Sequence, residues 1–375
     1  MRKNLVSLAV AGVFSITGIT PLAQAQSLDL TVNDVGLSIG DSRRVSGLRL
    51  NFRDRALRRV DGANVTIWAP YEHPRGLVNG LALGLPLTGA RRIEGLGAGI
   101  FGVAADETIR GVGIGGIGLG AGEDIVGLAI GGIGMGVGRD IRGIAIGGIG
   151  AGAGRDIEGL AIGGIGMGVG EDLHGIALGG IGMGVGQNLR GLAAGGIGVG
   201  VGGNAKGAIL GGIGAGVGGD MVGLSVGGIG IGVGGSVKGV TIGGIGMGVG
   251  GDATGLQVAG IGIGTGGTLK WVSIAGVGIG ASRIEGIAIA SAVGAEQVRG
   301  VVLAPAYFRI SKYGRMNGLN ISAFNDVRGI QQGVAIGIFN SARVLDGLQI
   351  GLLNYARNKP KATRLLPFIN FARAH

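Results

Sequence analysis

Apolar side chains alternate with glycine along most of this chain, in a pattern that repeats every 16 residues. One unit, residues 127–142, reads GLAIGGIGMGVGRDIR. A unit this short cannot bury its own apolar side chains, so it must stack on its neighbours. The pattern therefore predicts a repeat architecture in which equivalent residues lie over one another. The regular units open at Gly95, Gly111, Gly127, Gly143, Gly159, Gly175, Gly191, Gly207, Gly223, Gly239 and Gly255.

The alternation inside one unit predicts two short strands and two corners. Its phase changes at Gly131-Gly132, where glycine permits a bend with positive φ, and residues 139–142 form the second corner. Each unit is then one coil of a flattened β-solenoid, and stacked coils pair strand on strand about 4.8 Å apart. Six side chains of this unit are expected to point inward: Leu128, Ile130, Ile133, Met135, Val137 and Ile141.

The same alternation predicts a smooth outer surface of glycine and alanine. Backbones can approach closely over such a surface, so we expect self-association through it. The outward alanine column is predicted to contain Ala129, Ala145, Ala161, Ala177 and Ala193.

A transmembrane β-barrel is the alternative architecture. Its strands are about 9–11 residues long and alternate in polarity, as these do. The phase change inside every unit and the uniform turns favour the solenoid. A helical fold is disfavoured, because glycine costs about 1 kcal/mol per residue relative to alanine in a helix.

Four segments differ in composition. Residues 1–25 have the charged start, apolar stretch and Ala-Gln-Ala ending of a signal peptide. Residues 26–94 are predicted to be an N-terminal cap with irregular repeats, residues 95–270 the regular repeats, and residues 271–375 irregular repeats with a C-terminal cap. Atypical ends of this kind protect the exposed strand edges of a solenoid.

Composition and charge narrow the function further. Glycine accounts for 92 of the 375 residues, cysteine is absent, and the formal net charge is +10. Much of that excess lies after residue 300, and a smaller arginine cluster spans residues 43–59. The basic segment that contains Arg357, Lys359, Lys361 and Arg364 is a candidate contact with an anionic envelope surface.

Three C-terminal segments are the most distinctive part of the sequence. Residues 333–340 read GVAIGIFN, residues 347–356 read GLQIGLLNYA, and residues 366–371 read LPFINF. They resemble a family of secreted bacterial envelope surface-repeat proteins with units of the form GLQIGLxNxA. The resemblance implies an exported or cell-surface location. The central units depart from the family pattern, because they carry alanine and glycine where the family has glutamine and asparagine.

Asparagines recur with the spacing of these C-terminal units. In stacked coils their amides would lie over one another and form a hydrogen-bonded ladder along one corner. The residues are Asn325, Asn340, Asn354 and Asn370.

Aspartates recur at one corner position of the unit and are the candidate metal ligands. Glycine-rich turns with periodic aspartate are typical of calcium-binding β-rolls. Here the period is 16, and asparagine, serine or threonine replaces aspartate in several units, which is typical of a plain turn. The candidate calcium turns contain Asp124, Asp140, Asp156 and Asp172.

The sequence shows no catalytic set. Its histidines, His73, His174 and His375, have no metal-ligand spacing, and no nucleophile motif occurs. We therefore expect a non-catalytic, exported structural or adhesive protein without a cofactor, a small-molecule substrate or a nucleic-acid partner. It would reside in the periplasm, in the outer membrane or on the cell surface. The alternatives are an outer-membrane barrel and a calcium-stabilised exported binding module.

Overall fold

The computed structural model describes residues 27–55, 57–68, 70 and 76–373. The signal peptide predicted for residues 1–25 lies outside the described residues. The described chain forms a β-solenoid of about 18 turns, with about 16 residues in each. At the strand spacing of a β-sheet, the rod is roughly 85 Å long.

Successive coils pair in parallel, with equivalent residues in register. Ala145, for example, pairs with Ala129 in the coil before it and with Ala161 in the coil after it. Neighbouring strands of a barrel that is built from hairpins run in opposite directions instead. The predicted solenoid is therefore confirmed, and the barrel alternative is wrong.

The regular coils each contain one long and one short strand. The long strands are β9 (Ile125–Gly131), β11 (Ile141–Gly147), β13 (Ile157–Gly163), β15 (Leu173–Gly179), β17 (Leu189–Gly195), β19 (Ala205–Gly211), β21 (Met221–Gly227), β23 (Val237–Gly243) and β25 (Ala253–Ala259). The short strands are β8 (Gly118–Ala121), β10 (Gly134–Val137), β12 (Gly150–Ala153), β14 (Gly166–Val169), β16 (Gly182–Val185), β18 (Gly198–Val201), β20 (Gly214–Val217), β22 (Gly230–Val233) and β24 (Gly246–Val249).

The coils before and after this region are less regular. Before it lie β1 (Ser27–Val32), β2 (Val35–Gly40), β3 (Arg44–Asn51), β4 (Arg59–Thr66), β5 (Leu77–Gly84), β6 (Leu87–Gly99) and β7 (Gly102–Gly115). After it lie β26 (Gly262–Ala275), β27 (Gly278–Ile289), β28 (Ala292–Leu303), β29 (Tyr307–Ile321), β30 (Phe324–Ala356), a 3₁₀ turn (Lys361–Thr363) and β31 (Leu365–Ala372).

Both ends of the rod are closed by an antiparallel strand. At the N-terminal end, β1 folds back on β2 through a tight turn in which Asn33 and Asp34 both have positive φ. At the C-terminal end, β31 runs antiparallel to the last part of β30. The sequence prediction of atypical capping ends agrees with this geometry.

The core of a regular coil is narrow. In the unit 127–142, the side chains of Ala129, Met135, Val137 and Ile141 are buried. The prediction that Met135, Val137 and Ile141 point inward is therefore confirmed. The two strands lie so close that a Cβ added at Gly113 would come 2.5 Å from the Cδ1 atom of Leu119 on the facing strand.

This narrowness overturns the predicted orientation of the long strand. In this unit the large Met135 and Val137 side chains of the short strand face the small Ala129, and most regular coils carry alanine, glycine, serine or threonine at that position. Leu128 and Ile130 therefore lie on the outer surface, partly exposed, and Ile133 lies exposed at the bend. The alanine column that was predicted to face outward is buried instead: Ala129, Ala145, Ala161, Ala177 and Ala193 are each 0% exposed.

The left-handed glycines also differ from the prediction. The bend lies at residues 132–133, and positive φ occurs at the glycine that opens each unit, such as Gly127 (126°) and Gly143 (128°). A Cβ at Gly143 would clash with the carbonyl oxygen of Gly127 in the preceding coil. The opening glycine is therefore required both for its φ and for close stacking. Trp271 occupies this position in one coil, with φ of 80°.

Candidate interaction surfaces

The long strands display a continuous aliphatic surface. Every second residue of each strand points outward, so the side chains equivalent to Leu128 and Ile130 form two parallel columns along the rod. A third column, which contains Ile133, follows the bend. We call these three columns, from residue 112 to residue 289, the aliphatic face.

The bend column is the most exposed part of the aliphatic face. Its side chains are between 47% and 57% exposed, and each residue lies directly over its equivalent in the next coil. The column contains Ile117, Ile133, Ile149, Ile165, Ile181, Ile197, Ile213, Ile229, Ile245, Ile261 and Val277.

The size of the aliphatic face is unusual for an uncovered surface. Twelve coils are separated by eleven spacings of about 4.8 Å, which give a length of about 53 Å, and five residue spacings across give a width of about 16 Å. The flat area is therefore about 850 Å², whereas the largest apolar patch on a typical monomer is about 300–600 Å². Exposed apolar patches of this size are typical of protein or membrane interaction sites and of ligand-binding grooves.

The short strands form the opposite surface, which has almost no side chains. The outward positions of β10 are Gly134 and Gly136, and the equivalent positions in the neighbouring short strands are also glycine. A Cβ added at Gly136 would meet nothing within 4 Å. We call this surface the glycine face, and it has the smooth character that the sequence predicted.

Polar side chains are concentrated at the corner between each short strand and the next long strand. There the side-chain oxygen of each corner residue accepts a hydrogen bond from the backbone N–H of its equivalent one coil later. The Asp172 N–H donates to Asp156 (3.0 Å), for example, and the Asn188 N–H donates to Asp172 (2.9 Å). The same bond continues through Asn204, Asp220, Ser236, Asp252 and Thr268.

Ion pairs reinforce the first coils of this corner. Arg155 donates from Nε and Nη2 to the Asp140 carboxylate (3.1 and 2.8 Å), and Arg142 lies 3.3 Å from it. The Arg155 guanidinium holds the pKa of Asp140 below its usual range. At Asp252 the backbone N–H of Thr268 has the same effect on the pKa. The lowered pKa values favour the ionised form of the Asp140 and Asp252 carboxylates, which accept these hydrogen bonds.

The candidate calcium turns lie in this ladder. Asp124, Asp140, Asp156 and Asp172 stack along the rod at the spacing of the coils, so each carboxylate is one coil away from the next. Within the described part of the chain, no group of three or more histidine, aspartate or glutamate side chains is placed to hold a metal ion. Calcium binding stays a prediction.

The asparagine ladder predicted for the C-terminal coils is present for three of its four members. Asn325 donates to Asn340 (2.6 Å) and Asn340 donates to Asn354 (2.6 Å), and all three are buried. Asn370 lies in the reversed strand β31 and donates to the backbone carbonyl of Asn354 (3.1 Å) instead. The ladder therefore ties the last coils to the cap.

The basic segment near the C-terminus connects β30 to β31. Lys359 donates to the Asn370 side chain (2.7 Å) and to the Phe371 carbonyl (3.1 Å). Arg364 donates to the Lys359 carbonyl (3.3 Å), while Arg357 and Lys361 are exposed. Two of the four candidate contacts for an anionic surface therefore also hold the cap together.

The N-terminal arginine cluster at residues 43–59 contains a buried member, Arg49. Arg49 is 0% exposed and pairs with Asp41 (2.9 Å) and Asp54. It also donates to Asn64 (2.7 Å) and to the Ser42 carbonyl (3.0 Å). This network closes the core at the N-terminal cap and is structural.

Polar residues also occur inside the rod, in the buried alanine column. Ser225, Thr241 and Gln257 replace alanine there and are 0% exposed. The hydroxyl oxygens of Ser225 and Thr241 and both polar atoms of the Gln257 amide have no hydrogen-bond partner in the protein. These residues carry a desolvation cost without a visible contact to offset it.

Comparisons with known proteins do not assign this chain to a family. No protein-family model matches it, and searches among curated proteins and solved structures also find no match.

No helix among the described residues is long and apolar enough to cross a membrane. Of the histidines, His174 lies at the polar corner, while His73 and His375 lie outside the described residues.

Proposed function

We propose that this protein is a non-catalytic structural or adhesive element of a bacterial envelope, and that it attaches to other surfaces through the aliphatic face. The aliphatic face is the observation that carries the proposal, because a regular apolar surface of about 850 Å² is a surface to be covered. Support also comes from the signal-peptide pattern of residues 1–25 and from the resemblance of the C-terminal segments to envelope surface-repeat proteins.

The corner carboxylates and the C-terminal asparagines of the described coils are engaged in stacking. The corner carboxylates accept hydrogen bonds from the next coil, and the C-terminal asparagines bond to each other. Such ladders hold a rod together and present no converging set of reactive groups. The chemistry of the rod therefore favours a mechanical or adhesive role over a catalytic one.

Cell fractionation and surface labelling test this proposal. Because the chain has no cysteine, a Gly136→Cys variant would carry one thiol on the glycine face, where the new side chain meets open space. We expect the full chain to appear in the envelope fraction and the thiol to react with a membrane-impermeant maleimide. A variant without residues 2–25 serves as the control and should stay in the cytoplasm. Recovery of the full-length protein in the cytoplasm would overturn the proposal.

A further inference from the structure

We propose that the aliphatic face is the interface of a homodimer, in which a second copy of this chain packs its own aliphatic face against the first with the two rods parallel. This inference deepens the proposed function, since it names the partner of the proposed attachment surface and rests on that role for the face.

The area of the aliphatic face matches what a stable dimer needs. Two copies that bury about 850 Å² each would remove about 1,700 Å² from water, and stable protein interfaces bury about 1,200–2,000 Å² in total. The buried surface would be aliphatic throughout its centre, which is characteristic of permanent homodimers.

The regularity of the aliphatic face makes it complementary to itself. Its side chains repeat at the same coil spacing in both copies, so the columns of one rod can interdigitate with those of the other along the whole length. Two sheets that pack in this way lie about 10 Å apart with their strands nearly aligned. A two-fold axis then brings the same patch of both copies together.

Charge argues for a second copy over a lipid bilayer. Binding to a membrane surface combines an apolar face with an excess of basic residues. Residues 107–270, which form the regular coils, carry eight basic and ten acidic side chains. Several of these charges are already paired within the corner, as in the contacts of Arg139 with Glu123 and of Arg155 with Asp140. The regular coils as a whole therefore carry no net basic excess, although one column at the edge of the aliphatic face is basic.

The column that borders the aliphatic face fixes the orientation of the two rods. It runs from Arg110 to Arg299 and contains seven basic and two acidic residues. A two-fold axis across the rods would place this column against itself and oppose like charges. A two-fold axis that runs along the rods instead places this basic column over the bend column of the partner copy. There the Lys and Arg side chains can extend past the isoleucines into water. We therefore infer that the rods are parallel.

Two double variants test the dimer. The first variant combines Ile176→Lys with Leu224→Lys and places two charges on the aliphatic face. The control variant combines Gly184→Lys with Gly232→Lys and places the same charges on the glycine face of the same coils. At both control positions a Cβ meets nothing within 4 Å. We expect the exported wild-type protein and the glycine-face variant to be dimers by light scattering at micromolar concentration. The aliphatic-face variant should dimerise about 100-fold more weakly or not at all, because each copy would bury two unpaired charges.

Circular dichroism of both variants shows whether the coils remain folded. A monomeric wild-type protein at micromolar concentration would overturn the proposal, as would equal dimerisation of the two variants. Wild-type protein that stays monomeric and binds vesicles would identify the membrane as the partner. Fractionation reports cellular location whatever the oligomeric state, so failure of the dimer can be told apart from failure of the proposed function.

Cross-linking tests the orientation. In parallel rods, Val112→Cys in one copy lies at the same level as Val112→Cys in the other, and a short bifunctional maleimide should join them. In antiparallel rods the two thiols would be about 50 Å apart. Cross-linking only between a Val112→Cys copy and an Ile287→Cys copy would refute the parallel arrangement.

Discussion

Two glycines in one coil, four residues apart, should respond in opposite ways to the same substitution. A Cβ at Gly132, in the bend, would clash with the Gly116 carbonyl oxygen of the preceding coil, while a Cβ at Gly136, on the glycine face, would meet nothing within 4 Å. The clash involves backbone on both sides, so no side chain can move to relieve it. The coils themselves would have to separate, and the hydrogen bond from the Gly132 N–H to Gly115 (2.8 Å) would lengthen.

The magnitudes follow from these contacts. Overpacking of a tight interior typically costs about 1–3 kcal/mol, so Gly132→Ala should destabilise the protein by about that amount. Gly136→Ala adds no contact and restricts the unfolded chain, which stabilises a protein by about 0.4–1 kcal/mol where the native conformation tolerates alanine. The two variants should therefore differ by about 1.4–4 kcal/mol in the free energy of unfolding.

Urea unfolding followed by circular dichroism measures this difference. The two variants can be compared only if their unfolding free energies fall with urea concentration at the same slope. Unequal slopes would indicate that the solenoid unfolds in segments and is no longer two-state. Gly143→Ala provides a second destabilised variant, because that position combines positive φ with a clash. If Gly132→Ala proves as stable as Gly136→Ala, the tight stacking of the bends is wrong.

Two further predictions concern polar groups. The lowered pKa of Asp140, which is caused chiefly by Arg155, means that its stabilising effect is present above the usual carboxyl pKa and is lost below about pH 4. Melting curves between pH 7 and pH 2 should therefore fall less steeply for Asp140→Asn, and identical curves would contradict this role. Gln257→Met should stabilise by about 1–2 kcal/mol by removing an unpaired buried amide, while Asn340→Leu should destabilise by about 2 kcal/mol. Urea midpoints that shift in the same direction for both variants would refute the distinction.

The spacing of residues along the chain predicted the stacking well. A 16-residue period with like over like, the corner near residue 140, the inward Met135 and Val137 and the asparagine ladder all follow from counting positions. These features depend on register, and register in a repeat is set by its period. The interpretation of periodic asparagines as a ladder is confirmed for Asn325, Asn340 and Asn354, whose spacing follows the unit, and is wrong for Asn370, which lies in the reversed strand.

The orientation of the long strand could not be deduced from alternation alone. A strand such as β11 has two possible faces, and placing Ile144 and Ile146 inward appears natural from hydrophobicity. The facing strand decides the matter, since in the unit 127–142 Met135 and Val137 already fill much of the narrow interior and face Ala129, the equivalent of Ala145. The sequence pattern does not report the volume of the interior between the two strands. That volume is too small to enclose all the large side chains of a unit.

The burial of Arg49 was also beyond sequence reasoning. Its neighbours along the chain include several other arginines, and nothing in that run distinguishes Arg49 from them. Its partners Asp41 and Asp54 are brought to it by the path of the first coils. A charge that is paired through tertiary contacts has no marker in the local sequence.

The distribution of polar residues between the two sides of the long strands strengthens the case for a covered aliphatic face. The buried alanine column admits serine, threonine and glutamine at residues 225, 241 and 257. On the strand columns of the aliphatic face, by contrast, every residue from Val112 to Ile289 is aliphatic. A surface that faced only water would tolerate polar residues more readily than the core behind it. In this chain the buried column accepts polar residues and the outward columns of the long strands do not. The outward positions are therefore the more strictly apolar ones, as expected where another surface packs against them.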